Sequence, residues 1–217
     1  MYNSPFNLDE PAAYEYWRDR KLDAYPVRPR DLLVSLASLD QLDDAERRQI
    51  LANCCKANMC LYQLPAGEAG DKDLVRRLGR EFGLERLDRN LRADEDSITS
   101  LRVVPAGERT HYIPYTNRPI QWHTDGYYNP PERTIRGLLL HCVRPAYIGG
   151  ENRLMDPEML YILLRDEDPD FIRVLMEPDA MTIPANVEQG AQLRDAQSGP
   201  VFSVEPSGDL LLEAGKA

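Results

Sequence analysis

A histidine and an aspartate lie two positions apart in the segment QWHTDGYYNPP, as His123 and Asp125. On a β-strand, side chains at positions i and i+2 project to the same face, so one cation could bridge the imidazole nitrogen and the carboxylate oxygen. A mixed nitrogen and oxygen pair suits Fe(II), Mn(II) or Zn(II). The same tripeptide also occurs as a simple hydrogen-bonded pair, so the spacing alone leaves a metal site and a structural pair both open.

The cysteines give a weaker metal-binding pattern. Three of the four lie in NCCKANMC, as Cys54, Cys55 and Cys60, and the fourth is Cys142. Adjacent cysteines point to different sides of a regular element, so Cys54 and Cys55 do not form a chelating pair. Zinc sites usually add a second pair of Cys or His ligands elsewhere in the sequence, and this pattern is not found here. Buried structural thiols are therefore the favoured interpretation.

The composition excludes several classes of protein. The chain has 217 residues, of which 42% are hydrophobic and 29% charged, as in an ordinary globular domain. Its formal net charge of -10 repels phosphate backbones, so we expect no nucleic-acid partner. No apolar run reaches the roughly 20 residues of a membrane helix, and the N-terminus does not resemble a signal peptide, so we expect no membrane partner and a cytoplasmic location.

Residues 1–96 are predicted to be mainly helical. Periodicity and capping patterns predict a helix over 9–25, a helix capped by Asp43 with Glu46, a strand over 59–65, and a helix opened by Asp71 and closed near Gly83.

Short β-leaning runs dominate from residue 97 onwards. Strands are predicted at 97–105, 119–125, 134–143, 152–156, 180–184, 200–206 and 209–214, with a helical insertion at about 157–176 that breaks at Asp168. This order predicts an α+β fold built on an antiparallel sheet or barrel.

Several sequence blocks resemble, in order, the TauD/TfdA family of iron(II)- and 2-oxoglutarate-dependent dioxygenases, which includes taurine dioxygenase and γ-butyrobetaine hydroxylase. The blocks are MCLYQLP followed by a helix ending in EFG, then PYTNRPIQWHTD, then PPERTIRGLLLHCVRPAYIGGENRLMD. The resemblance covers roughly residues 45–210. It implies a single domain over 1–217 with a double-stranded β-helix (a clavaminate synthase-like jelly roll), flanking helices, and jelly-roll strands in 97–217.

The resemblance also implies the cofactors and the reaction. Fe(II), 2-oxoglutarate and O2 would be used to hydroxylate a small organic substrate, betaine-like or taurine-like, with release of succinate and CO2. His123 and Asp125 would be two members of a 2-His-1-carboxylate facial triad. Asn152 corresponds to a family position near the carboxylate of 2-oxoglutarate, often occupied there by threonine or serine.

The same resemblance implies a substrate pocket. Tyr115 matches a tyrosine of its aromatic wall in the butyrobetaine branch, Asn117 is a further substrate-binding candidate, and Tyr127 and Tyr128 are candidates in the loop after Asp125. Aromatic faces suit a quaternary ammonium group. For the two loop tyrosines, rings that merely anchor a surface loop are an equally open interpretation.

The triad is incomplete in this sequence. The family pattern requires a second histidine well beyond Asp125 and then an arginine for the oxoacid, whereas the other histidines are His111 and His141. We expect His111 in a loop or pocket and His141 as a hydrogen-bonded barrel residue. Three interpretations stay open: a part of a longer dioxygenase, a split enzyme, and a degenerate non-catalytic binding protein. Because an unfinished barrel exposes sheet edges, we expect an oligomer or a complementing C-terminal chain.

Overall fold

The computed structural model describes residues 4–66, 71–88, 98–105, 107, 113–188 and 190–215, so His111 lies outside the described residues. The chain forms two compact units. The first comprises Met1–Ala69, Cys142–Thr182 and Ser198–Glu213, and the second comprises Gly70–His141, Ile183–Gln197 and Ala214–Ala217. The prediction of a single domain stays a prediction.

The α-helices lie where the sequence patterns predict them. They are α1 (Pro11–Ala24), α2 (Asp44–Ala57), α3 (Lys72–Glu81), α4 (Pro157–Glu167) and α5 (Pro169–Leu175). Short 3-10 turns occupy Pro29–Leu32, Ile113–Tyr115 and Pro131–Arg133. Within the part of the chain that the structure describes, no helix is long and apolar enough to cross a membrane.

Side-chain caps fix the helix boundaries. Asp43 accepts a hydrogen bond from the Glu46 amide at 2.7 Å, and Glu46 accepts one from the Asp43 amide at 2.9 Å, so the predicted capping box is confirmed. Asp71 caps α3 through the Leu74 amide at 2.8 Å. Asp168 ends α4 and caps α5, which confirms the predicted break.

The strands are short and form two-stranded sheets. They are β1 (Leu33–Ser35), β2 (Leu61–Gln63), β3 (Met181–Ile183), β4 (Asn186–Glu188), β5 (Ala191–Arg194), β6 (Gln197–Gly199), β7 (Phe202–Val204) and β8 (Leu210–Leu212). β1 and β2 pair in parallel, β4 with β5 and β7 with β8 pair antiparallel, and β3 pairs with β6. The strands predicted around β2, β3, β7 and β8 are confirmed, whereas β1, β4, β5 and β6 are not anticipated by the sequence patterns.

The four predicted strands between residues 97 and 156 are wrong for this structure. The described residues of 97–105, 119–125, 134–143 and 152–156 carry no strand. A strand persists only when a neighbouring backbone satisfies its hydrogen bonds and its apolar face is covered. Here Trp122 and Leu138 are each 57% exposed, so their faces are uncovered. The described residues therefore form helices and small sheets, without a closed antiparallel barrel.

The core of the first unit is aromatic. Tyr161 from α4 and Phe202 from β7 are fully buried, with ring centroids 5.5 Å apart in an edge-to-face arrangement. Phe6 contacts Tyr161 in the same way at 5.4 Å. Ile162, Ile172 and Leu210 complete this cluster together with Tyr14. Residues from both ends of the sequence thus share one core.

A buried ion pair ties three helices of the first unit together. Lys21 of α1 places Nζ 2.7 Å from Oδ2 of Asp156, and both side chains are almost fully covered. Oδ1 of Asp156 accepts from Asn58, the residue that caps the C-terminus of α2, at 2.8 Å. The same oxygen caps α4 through the Glu158 amide at 2.9 Å.

Candidate metal-binding site

His123 and Asp125 meet in the second unit even though they lie outside any strand. Nε2 of His123 lies 3.5 Å from Oδ1 of Asp125, and the side chains are 30% and 46% exposed. The expectation that the two side chains face the same way is confirmed, and the expectation that a strand causes this is wrong. Two metal–ligand bonds of about 2.1 Å each can span such a separation.

The hydrogen bond on the other ring nitrogen favours a metal at Nε2. Nδ1 of His123 lies 2.8 Å from the carbonyl oxygen of Gln121. Because a carbonyl can only accept, Nδ1 is the donor, and in the neutral ring Nε2 then carries a lone pair. That lone pair and the Asp125 carboxylate lie side by side as two acceptors. The hydrogen bond from Nδ1 to the Gln121 carbonyl is the second-shell contact that histidine ligands of metals commonly make. The donor set therefore fits a divalent cation of the Fe(II) class.

Thr124, between the two candidate ligands, is fixed by the segment at Ala214. The Thr124 amide donates to the Ala214 carbonyl at 2.7 Å, and the Ala214 amide donates back to Oγ1 of Thr124 at 3.0 Å. This reciprocal pair holds the backbone from which His123 and Asp125 project. It takes over the positioning role that the predicted strand ladder would have had.

A tight turn follows Asp125. Gly126 has a φ of +71°, and the Asn129 amide donates to the Gly126 carbonyl at 2.7 Å. Asn129 is buried, and its side chain donates to the Arg133 carbonyl at 3.0 Å. A Cβ atom at position 126 would overlap the side chain of Ile135 and lie 2.9 Å from Nδ2 of Asn129, so glycine is required here for both conformation and space.

The two loop tyrosines pack against each other beside the candidate ligands. The rings of Tyr127 and Tyr128 meet edge to face at 5.2 Å, and both are half-buried. Gly215 packs so closely on Tyr127 that a Cβ atom there would overlap the ring. Tyr127 is thus packed between Tyr128 and Gly215, and Tyr128 packs against Tyr127.

Tyr128 lies among charged groups of both signs. The Arg194 guanidinium carbon lies 5.5 Å from the centroid of its ring. Burial, followed by the negative charges of Asp88 and Asp125, raises the pKa of Tyr128 above its ordinary value, while Arg194 lowers it. The pKa of the Tyr128 hydroxyl is therefore set by its burial and by charges of both signs around it.

Asp88 and Arg133 form an ion pair at the edge of a cavity. Nη2 of Arg133 lies 2.6 Å from Oδ1 of Asp88, which raises the pKa of Arg133. The cavity has a volume of about 540 Å³. Its lining residues are Arg86, Leu87, Asp88, Glu132, Arg133, Thr134 and Ile135.

The remaining predicted residues take varied places. Tyr115 is buried in the second unit, where its carbonyl accepts from the Val104 amide at 3.0 Å, and Asn117 is exposed. Asn152 is exposed in the first unit. His141 is half-buried, and burial lowers its pKa. Among the described residues no three His, Cys, Asp or Glu side chains are placed to hold one metal ion, so His141 does not complete a site with His123 and Asp125.

Sequence patterns alone do not single out Asp88, Arg133 and Arg194. Each is an ordinary charged residue in a chain rich in such residues, and only the fold places them near Tyr128. The Asp125–Gly126 dipeptide, like Asn129–Pro130 after it, is a local signal of a turn that the sequence itself carries.

Comparisons with known proteins agree with the earlier resemblance. The family described as taurine catabolism dioxygenase TauD, TfdA family matches residues 21–214. A uridine-5′-phosphate dioxygenase of Amycolatopsis sp is 35% identical over 94 residues, which is 42% of this chain and 31% of that protein. A uridine-5′-phosphate dioxygenase of Streptomyces sp is 34% identical over 113 residues, 50% of this chain and 38% of the relative. The matched segments thus span about a third of either relative, and no solved structure matches significantly.

Proposed function

The chain belongs to the TauD, TfdA family of taurine catabolism dioxygenases, and from that premise we propose that it works as a non-haem Fe(II)- and 2-oxoglutarate-dependent dioxygenase. His123 and Asp125 supply two of the metal ligands. The observation that carries this proposal is the 3.5 Å approach of Nε2 of His123 to Oδ1 of Asp125, with Nδ1 engaged by the Gln121 carbonyl.

When bound by His123, Asp125 and a further ligand, Fe(II) with 2-oxoglutarate and O2 would supply the oxidative chemistry that hydroxylates a substrate C–H bond and releases succinate and CO2. The residues of this chain position the reactants. The Gln121 carbonyl fixes the imidazole ring, and Thr124 with Ala214 fixes the backbone that carries both ligands. The Tyr127 and Tyr128 rings, which pack edge to face directly after Asp125, are proposed as an aromatic wall of the substrate pocket. Asn152 is proposed as a contact of 2-oxoglutarate.

The first candidate substrate is a uridine-5′-phosphate-like molecule, because both curated relatives are named for that compound. Taurine-like or betaine-like molecules are the second candidates, from the family resemblance and the aromatic wall. Tyr115 and Asn117 are retained as proposed residues of the substrate pocket, together with Tyr127 and Tyr128.

We further propose that the functional protein has the family's double-stranded β-helix. Exposed apolar residues recur at alternate positions in the segments predicted as strands, with Ile120 and Trp122 at 52% and 57% and Leu138 and Leu140 at 57% and 50%. Alternation of this kind is typical of strands with one covered face. A longer polypeptide, a complementing chain or an oligomer would cover these faces and supply the third ligand and the oxoacid-binding arginine. A cytoplasmic location remains part of the proposal.

An anaerobic titration tests the function. Fe(II) is added to the chain in the presence of 2-oxoglutarate, and a weak visible charge-transfer band is expected. Asp125→Ala should abolish the band, whereas Asp170→Ala, which removes an exposed carboxylate of α5, should leave it unchanged. Absence of the band together with absence of any binding of Fe(II) would overturn the proposal.

A non-catalytic jelly-roll binding protein is the second candidate. It is favoured by one observation: the described residues bring together two metal-binding side chains and not three. Such a protein would show no Fe(II)-dependent band and would form no succinate when O2 is admitted to the loaded sample.

A further inference from the structure

We propose that segment 214–215 acts as a latch on the candidate metal site. When this latch is closed, it holds the two candidate ligands His123 and Asp125 in place for a metal ion, and a bound metal ion in turn holds the latch closed. The inference rests on the proposed function, since it assigns a means of regulation to the same pair of ligands. The latch and the ligands all belong to the second unit.

Hydrogen bonds to Thr124 form the first half of the latch. The Thr124 amide donates to the Ala214 carbonyl at 2.7 Å, and the Ala214 amide donates to Oγ1 of Thr124 at 3.0 Å. The Thr124 hydroxyl also donates to the Ala214 carbonyl, at 3.3 Å. Thr124 thus directs both its amide and its hydroxyl at a single residue that lies 90 positions further along the chain.

Packing of Gly215 against the Tyr127 ring forms the second half. A Cβ atom at position 215 would overlap Cγ, Cδ2 and Cε2 of Tyr127. The φ of Gly215 lies outside the left-handed region, so the close approach, and not the backbone conformation, requires glycine here. Rotation of the ring about its own axis cannot relieve the overlap, because Cγ lies on that axis. A side chain at 215 must therefore displace either Tyr127 or the latch.

The latch acts on the backbone that sets the distance between the two candidate ligands. Thr124 lies between them in the sequence, so a rotation of the backbone there moves the imidazole relative to the carboxylate. Nε2 of His123 in the neutral ring and Oδ1 of Asp125 are both acceptors, and at 3.5 Å they do not attract each other. Their approach in the metal-free site must be held by contacts elsewhere, and the latch supplies such contacts.

Metal binding and latch closure are therefore linked. A metal ion that binds the closed form more tightly than the open form stabilises the closed form by the same factor. Couplings of this kind typically amount to about 5–150-fold, and we expect about tenfold here. Opening of the latch would thus release the metal without any change in either ligand.

Hydrogen exchange followed by mass spectrometry tests the linkage, because the amides of Thr124 and Ala214 are both donors within the latch. Saturating Mn(II) should slow exchange of both amides about tenfold. The control is the Asn58 amide of the first unit, which donates to the Cys54 carbonyl at 2.8 Å and should exchange at the same rate with and without Mn(II). Exchange of the latch amides that does not change at saturating Mn(II) would overturn the inference.

Gly215→Ala tests the latch from the other side. The substitution should weaken Mn(II) binding about tenfold, as measured by electron paramagnetic resonance of free Mn(II), and should speed exchange of the Thr124 amide. Gly199→Ala is the matched control. Gly199 also has a φ outside the left-handed region, but a Cβ atom there would meet nothing within 4 Å, so the Mn(II) affinity should be unchanged. Circular dichroism establishes that each variant is folded.

A double-mutant cycle with Tyr127→Ala identifies the contact responsible. Tyr127→Ala removes the ring that the new Cβ atom would overlap. In that background, Gly215→Ala should change the Mn(II) affinity by less than about twofold. An equal loss in both backgrounds, or a folded Gly215→Ala variant with wild-type Mn(II) affinity, would overturn the inference.

Failure of the latch and failure of the proposed function give different results. A chain that forms the Fe(II)–2-oxoglutarate band, but whose Thr124 amide exchanges at the same rate with and without metal, is a dioxygenase without a latch. A chain that binds no metal overturns the proposed function and the linkage together. Exchange of the Thr124 amide in the metal-free Gly215→Ala variant then still shows whether segment 214–215 holds the backbone of the pair.

Discussion

Nε2 of His123 and Oδ1 of Asp125 lie 3.5 Å apart, and each is an atom that in the neutral ring and the ionised carboxylate can only accept. Two acceptors at this distance are stabilised when a cation lies between them. The local backbone, held by Thr124 and Ala214, brings them together without a strand.

Removing one candidate ligand should weaken metal binding without unfolding the chain. Asp125→Ala is expected to lower Mn(II) affinity at least tenfold, because half of the paired donor set is lost. His141→Gln should leave the affinity unchanged, since His141 does not gather with His123 and Asp125. Electron paramagnetic resonance of free Mn(II) measures both affinities, and a loss in the His141 variant would contradict the site as described.

The hydroxyl group of Thr124 should contribute to stability and to metal affinity together. Thr124→Val leaves the Ala214 amide without its acceptor at 3.0 Å, which costs about 1–2 kcal/mol in the free energy of unfolding. Urea denaturation and Mn(II) titration should both show the loss. Thr134→Val is the control, because that hydroxyl donates to the Pro131 carbonyl at an exposed position. Equal effects of the two substitutions would contradict a special role for Thr124.

Gly126 should tolerate alanine far less well than Gly83. Both have a φ between +70° and +80°, so alanine costs each about 1–2 kcal/mol of backbone strain. A Cβ atom at 126 would also overlap Ile135, whereas nothing lies within 4 Å of one at 83. Overpacking adds about 1–3 kcal/mol. In thermal denaturation, the melting temperature of Gly126→Ala should be clearly lower than that of Gly83→Ala. Similar melting temperatures would refute the close packing at 126.

Lys21 should matter much more than an exposed cation. Lys21→Met leaves the buried Asp156 carboxylate without its 2.7 Å partner and should cost about 3–5 kcal/mol. Arg28→Met breaks a pair in which the arginine is 56% exposed, and should cost less than about 1 kcal/mol. Chemical denaturation compares the two. A decrease of less than about 1 kcal/mol in the free energy of unfolding of Lys21→Met would show that the Lys21–Asp156 pair is not desolvated.

The four thiols should react in two classes. Burial is the main cause that raises the pKa of Cys54 and of Cys60, whereas Cys55 and Cys142 are exposed. Because the thiolate is the reactive form, Cys55 and Cys142 should be alkylated by iodoacetamide well before the other two at pH 8. Raising the pH should reduce the difference in alkylation rate between the two pairs, because a thiol with a raised pKa is deprotonated only at higher pH. Peptide mapping by mass spectrometry follows each residue, and uniform rates would contradict the burial of Cys54 and Cys60.

Local rules predicted the helices well because their signals are contained in a few neighbouring residues. Asp43 with Glu46, and Asp168 before Pro169, determine boundaries by hydrogen bonds that span three residues or fewer. The TauD/TfdA resemblance likewise rested on blocks of contiguous sequence, and the family match confirms it.

The strands predicted between 97 and 156 are wrong because the alternation of apolar and polar residues shows only which face a strand would bury. It does not show whether a neighbouring strand is present to pair with it. Trp122 and Leu138 have the spacing and apolar character of strand residues, yet both are exposed. The charged residues around Tyr128 were missed for a related reason. Arg194 lies 66 positions beyond Tyr128 in the numbering, and only the fold brings it over the ring.

The aromatic core of the first unit has a consequence for how the protein is made. Phe6 and Tyr14 share a core with Phe202 and Leu210, so translation must pass residue 210 and that residue must leave the ribosome before this core can close. Helix α1 would stay incompletely packed until the residues that follow it in the sequence, up to Leu210, have been translated. Contacts so distant in sequence slow folding. Expression at low temperature or with chaperones present should therefore raise the yield of folded protein more than it does for a protein whose core is local in sequence.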